Sequence, residues 1–268
     1  MGDIAKIISA EIYKQSKTRS LITVPVMIIV ITVLIFLAVS AASDNLSFGP
    51  ASGFYITAAS LGWIVKGVSL AAVIITCFQI SNEFSMGTVK AAWVQPLSRR
   101  MWYSGKLLHS CIISWGILII SAALLILLAS LKYDFESLVE NNYLIHSESD
   151  LWLKSGLILL LSLWVTGVII AATSAVSLIF NAAGSSISVV IAASLLMVIL
   201  EIFGAARPFL LTSYISLPVE QFVLMAKGLP LQMSWKEITY HTLGFPAGYL
   251  ALSLTAGYAM VNRKEIKS

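Results

Sequence analysis

The chain has 268 residues, of which 58% are hydrophobic and 11% charged, and a mean hydropathy of +0.90. A water-soluble domain carries about 25% charged residues, so this surface has too little charge to be coated by water, which points to the membrane class. The net charge of +4 comes without a dense basic stripe interleaved with aromatics, which argues against nucleic acid as a partner.

A spanning helix needs about 20 mostly apolar residues. Residues 1–19 come first and are too polar and too amphipathic for a cleavable signal, and residues 3–19 read as an interfacial element. Ile4, Ile7, Ile8 and Ile12 fall on one helical face, and Lys6, Lys14 and Lys17 take the other. That pattern predicts a helix lying in the plane of the membrane. Glu11 points into the isoleucine stripe, and two readings stay open for it. It is either a carboxylate snorkelling at a helix flank or one arm of an ion pair with a partner or with the inner loop.

Six spans follow at about 20–41, 60–80, 104–131, 153–180, 185–203 and 238–261. The fourth and fifth are separated only by NAAG. Between the fifth and sixth, the segment 201–237 is apolar but broken by Gly204, Pro208, Pro218, Gly228 and Pro230. Short helices re-entering the outer leaflet are expected there, because irregular backbone at that depth survives only under protein cover. The expected fold is an all-α integral membrane protein, with residues 1–268 as one transmembrane domain.

Lys and Arg in short loops set orientation. Eleven of the seventeen lie on the side of the chain ends: Lys6, Lys14, Lys17, Arg19, Lys90, Arg99, Arg100, Lys106, Arg263, Lys264 and Lys267. Both termini are therefore expected in the cytoplasm. The loop at about 42–57, with no Lys or Arg, fits the outside.

The segment ISNEFSMGTVKAAWVQPLSRRMWYSGKLL, residues 80–108, then faces the cytoplasm between spans two and three. Pro96 ends any helix begun near Asn82, because its ring clashes with the preceding turn. Ser98 suits the N-cap of span three. A short helix over 81–98 is expected across the mouth of the two spans. Val89, Trp93 and Val94 would face bilayer or bundle, with Glu83, Lys90 and Gln95 turned outward.

No GxxxxGK[ST], HExxH, CxxC or GxSxG occurs. His109, His146 and His241 lie far apart, and Cys77 and Cys111 sit inside apolar runs. No metal site, cofactor or catalytic residue is expected, and the chain reads as a non-enzyme. Charges inside spans are costly and usually functional. Lys66, Glu201 and Arg207 are the candidates. They either snorkel or form an outer gate or fold-locking pair of Glu201 with Arg207 or Lys66. No run of Asp, Glu and His follows the spans, so the energy source is expected outside this polypeptide. Small residues at four-residue spacing, such as Gly167, Ala171 and Ala175, or Gly244 and Gly248, allow close helix approach.

Glu83-x-x-x-Gly87-Thr88, followed by Pro96-x-Ser98-Arg99 and Lys106, resembles the first cytoplasmic loop of ABC-2 type permeases, the membrane subunits of ATP-binding-cassette exporters. Ala10-Glu11-Ile12-Tyr13-Lys14 is similar to that family's interface helix. The chain looks similar to the compact permeases of bacitracin-resistance and lantibiotic-immunity systems. The resemblance implies a coupling helix docked into a cytoplasmic P-loop ATPase, present in two copies and binding the ATP and magnesium. Glu11, Lys14, Glu83, Gly87 and Thr88 would lie at or beside that interface, and Arg99 would orient the base of span three. A second permease, identical or different, would join along spans one and five, in the inner or plasma membrane. The alternatives are a partner-independent carrier or channel and a membrane scaffold recruiting a cytoplasmic protein.

Overall fold

The computed structural model describes residues 2–17, 20–44, 52–89, 98–140, 143–180, 182–202 and 204–263. Eight α-helices occur among them. They are α1 (Gly2–Lys17), α2 (Ser20–Asp44), α3 (Gly53–Ser85), α4 (Arg99–Ser130), α5 (Glu148–Ser177), α6 (Ala183–Glu201), α7 (Ser213–Ala226) and α8 (Trp235–Arg263). A hairpin of β1 (Leu138–Glu140) and β2 (Tyr143–His146) and a 3-10 turn at Gly204–Phe209 complete the set. The hairpin is an addition to the expected all-helical chain.

Five helices, α2 to α6, are long and apolar enough to cross a membrane. The chain is thus a multi-pass helical membrane protein. Helices α3, α4 and α5 start where a serine side chain satisfies a free N–H group of the first turn. Ser52 Oγ accepts the Tyr55 N–H, Ser147 Oγ that of Asp150, and Ser98 Oγ that of Met101, as expected for Ser98.

Helix α3 is the axis of the bundle and packs against α2, α4, α5, α6 and α7. Its 33 residues amount to ~50 Å at 1.5 Å per residue, well beyond a ~30 Å hydrocarbon core. Where the apolar run predicts a span ending at 80, the helix continues to Ser85. Gly87, at φ 69°, then ends it, since a positive φ is nearly free only for glycine. The expectation of a separate helix starting near Asn82 is therefore corrected, because residues 81–85 are the last turn of α3. Residues 90–97, with Lys90, Trp93, Val94, Gln95 and Pro96, lie outside the described residues.

The packing is that of a membrane bundle, with small residues and serine hydroxyls between helices. Ser81 Oγ donates to the Ser177 carbonyl at 3.0 Å and lies 2.6 Å from Ser186 Oγ. These contacts join α3, α5 and α6 at one end. Tyr103 Oη meets Ser174 Oγ at 2.7 Å, and its ring lies against Gly257. At the opposite end Phe135 stacks on Trp152 with centroids 5.1 Å apart, and both rings pack edgewise on Phe54.

Helix α8 runs the height of the bundle. Trp235 starts it beneath Lys154, 5.4 Å from the ammonium, and Arg99 Nη1 donates to the Asn262 carbonyl at 3.2 Å near its end. It is not among the five apolar helices, because Tyr240, His241, Thr255, Tyr258 and four glycines or prolines dilute its hydropathy. The described parts of both chain ends, α1 and the close of α8, lie beside the start of α4.

The segment 201–237 is no plain loop. Tyr249, midway along α8, donates to the Phe209 carbonyl at 2.5 Å, and Tyr214 stacks on Phe245. From that level α7 runs to the hairpin end, where Lys227 covers the Tyr55 ring at 4.8 Å. Val219, Phe222 and Met225 of α7 are buried in the main core.

Candidate functional site, a charge lock on the α4 base

Four charged side chains meet where α1, α3 and α4 converge. Lys106, in the second turn of α4, is 1% exposed. Its Nζ lies 2.8 Å from Glu11 Oε1 and 2.7 Å from Glu83 Oε1. Lys14 Nζ approaches the same two oxygens at 3.0 and 2.6 Å. Trp102 Nε1 donates to Glu83 Oε2 at 3.3 Å, and the Trp102 ring lies 5.7 Å from the Lys106 ammonium. Two carboxylates and two ammoniums make a neutral quartet. That neutrality lets it sit at the edge of an apolar bundle, because a buried charge is tolerated when paired and hydrogen-bonded.

Sequence position decides how each member arrives. Glu83 follows Thr76, Gln79 and Ile80 on the inward face of α3, all buried. The expectation that Glu83 turns outward is corrected by this helical phase. Glu11 resolves to an ion pair with the inner segment, through Lys106, and is 6% exposed. Helix α1 can come this close because α4 has no side chain at Gly105, where a Cβ would stand 2.7 Å from Ile7 Cγ2.

For Lys14, burial alone lowers the pKa. The hydrogen bond and charge of Glu83, followed by those of Glu11, outweigh it and hold the group above 10.5. The ammonium is charged throughout the neutral range.

A second polar layer lies one turn deeper. Ser110 Oγ donates to Gln79 Oε1 at 2.7 Å, and Gln79 Nε2 meets His109 Nδ1 at 2.5 Å. An amide N–H on Nδ1 leaves the ring proton on Nε2, which has no hydrogen-bond partner among the described residues.

The exposed rim of the site is the turn after α3. Met86 is 68% exposed, Gly87 has open space around it, and Thr88 Oγ1 donates back to the Glu83 carbonyl at 3.4 Å. Val89 turns inward and is buried, as expected. Arg99 pins the α4 base to α8 through Asn262.

The three candidate outer charges do not pair with one another, so the reading of a pair of Glu201 with Arg207 or Lys66 is not the arrangement found. Glu201 accepts hydrogen bonds from Thr212 Oγ1 at 2.6 Å and Ser213 Oγ at 3.0 Å, tying α6 to the start of α7. Arg207 faces Glu220 at 3.4 Å, both half exposed. Lys66 lies over the Trp63 ring at 5.6 Å. Because α3 begins at Gly53, Lys66 stands ~20 Å along the helix, deeper than a span beginning at 60 predicts.

Lys106 and Trp102 join the candidate site in the structure, although neither is among the site residues expected from the sequence. A lone lysine in the second turn of an apolar helix is itself a signal, since intramembrane charges seldom lack a purpose. Among the described residues no cluster of three metal-ligating side chains occurs. No protein-family model matches the chain, and no curated protein matches it.

Proposed function

We propose that this chain is the membrane subunit of an ATP-driven exporter of the ABC-2 permease kind, moving substrate with energy from a separate P-loop ATPase. One observation carries the reading. The turn Met86–Thr88 projects from the bundle end that also holds both described chain ends, and the quartet behind it ties α3 rigidly to α1 and α4. A push on that turn reaches three helices at once, since packed elements move as bodies. A lone scaffold has no need of such a linkage.

In this reading α8 is the sixth span, both chain ends are cytoplasmic, and α1 lies along the membrane surface with Ile12 and Tyr13 toward lipid. The turn at Gly204–Phe209 and α7 form the re-entrant outer segment. The apolar windows of α6 and α2 are only 11% and 22% buried within the chain, which suits them to a seam with a second permease. The resemblance to ABC-2 permeases supports the ATPase partner. Glu11, Lys14 and Glu83 then transmit force, and the exposed turn makes the contact.

The test is co-purification of the full chain with P-loop ATPases of the host cell, with Met86→Cys as a crosslinking handle. Crosslinking to an ATPase whose hydrolysis is coupled to export supports the reading. Export by the purified chain alone in liposomes, driven by an ion gradient, overturns it in favour of a partner-independent carrier.

A further inference from the structure

A cavity of about 980 Å³ opens beside the charge lock, between α1, α2, α3 and α4. Its walls are aliphatic and aromatic, with Ile29, Ile75, Phe78 and Ile112 among them. Near its far end Thr32 Oγ1 donates to Ser121 Oγ at 3.3 Å, bridging α2 and α4. Its polar rim holds Glu11, Lys14, Lys17 and Glu83.

Three features define what fits. Water does not, because a buried water needs two to four polar partners and the walls below the rim offer almost none. Along α3 the cavity runs from Met86 to Ile74, twelve residues or ~18 Å, close to half of a ~30 Å hydrocarbon core. Ile29, Phe78 and Ile112 are also exposed on the bundle surface, so the cavity opens sideways to the bilayer. An acyl chain of one leaflet matches that length, chemistry and access.

The rim selects the headgroup. Glu11 and Glu83 are neutralised by Lys106 and Lys14. Lys17, one turn beyond Lys14, has no carboxylate partner among the described residues and is covered only by the Tyr13 ring at 5.4 Å. The rim therefore keeps one uncompensated positive charge at the headgroup end of an acyl-lined cavity.

We infer that this cavity is a binding site for one anionic phospholipid, its acyl chains among the α2–α4 isoleucines and its phosphate at Lys17. The lipid fills what would otherwise be a void between α1 and the spans, and it couples the docking of α1 to lipid charge. The inference needs only that the bundle sits in a bilayer and does not depend on the exporter reading.

The test uses the purified full chain in detergent, titrated with dioleoyl phosphatidylglycerol or dioleoyl phosphatidylcholine, with bound lipid counted by native mass spectrometry. The anionic lipid is expected to bind at least fivefold more tightly, the equivalent of ~1 kcal/mol for one cation at an anionic headgroup. Lys17→Gln is expected to bring the two lipids to parity. Gly116 lines the cavity and a Cβ there meets nothing within 4 Å, so Gly116→Leu starts its side chain in open space, narrows the cavity and should weaken both lipids at least fivefold. Equal binding of the two lipids by the unaltered chain, unchanged binding in Gly116→Leu, or displacement by glycerol phosphate, which has no acyl chain, would each overturn the proposal.

Discussion

Lys106 Nζ stands 2.7 Å from Glu83 Oε1, and the lysine is buried while the glutamate closes α3. That pair joins the base of one long helix to the end of another, and Glu11 extends it to α1. A buried ion pair contributes little net stability, because desolvation offsets attraction, but removing one partner strands the other. The quartet is therefore better at specifying how three helices meet than at raising the unfolding free energy.

Lys106→Met leaves Glu11 and Glu83 facing each other with only Lys14 between. A loss of ~3–5 kcal/mol is expected, read as a lowered thermal midpoint in detergent. Adding Glu11→Gln and Glu83→Gln should recover part of it. Additive losses from the three changes would show that the side chains do not act as a unit.

Gly105→Leu forces a side chain into Ile7, since even a Cβ comes within 2.7 Å of Ile7 Cγ2. Helix α1 should lift from α4 at a cost of ~1–3 kcal/mol. Hydrogen exchange in α1 should accelerate while α5 stays protected. Uniform acceleration through the bundle would mean that α1 is no separate docking element.

Gly87→Ala meets no neighbouring atom, so its cost is confined to a φ of 69°, about 1–2 kcal/mol for a residue with a Cβ. The protein should fold with a slightly lower midpoint. In the exporter reading, transport coupled to hydrolysis should fall more than stability does. Coupling unaltered in Gly87→Ala would remove the turn from the force path.

Lys14 has a raised pKa, so its contribution to stability is fully present below 10.5, the ordinary value, and fades as pH climbs through the higher folded value. Midpoints of the unaltered chain minus those of Lys14→Gln should stay constant from about pH 6 to 9 and shrink only above 10.5. Salt should reduce the difference, because Lys14 is largely exposed and exposed pairs are screened. A difference that collapses near neutral pH would contradict the pairing.

Much of the architecture is legible from local pattern. Each of the five helices found long and apolar enough to cross overlaps an expected span, and Ser98 caps α4 as expected. Helix α3 outruns its apolar window at both ends because hydropathy ends at the hydrocarbon edge, whereas backbone hydrogen bonding continues until a cap or a glycine stops it. The hairpin escapes because strands of three and four residues are too short to display alternation. Glu83 is misread as outward-facing when its helix is started at Asn82. Extending the face of Thr76, Gln79 and Ile80 by one turn would have turned it inward.

By itself the sequence determined the solvent this protein lives in, the segments that become helices, and the residues that begin and end them, because transfer energy and backbone hydrogen bonding belong to the segment that carries them. Only the tertiary structure decided which charges meet. Glu11 finds Lys106 on a helix distant in sequence, while Glu201 finds Thr212 and Ser213 and Arg207 finds Glu220 in the segment that follows, according to how the elements rotate against one another. That rotation follows from where small residues such as Gly105 admit a neighbour, a property of two surfaces together.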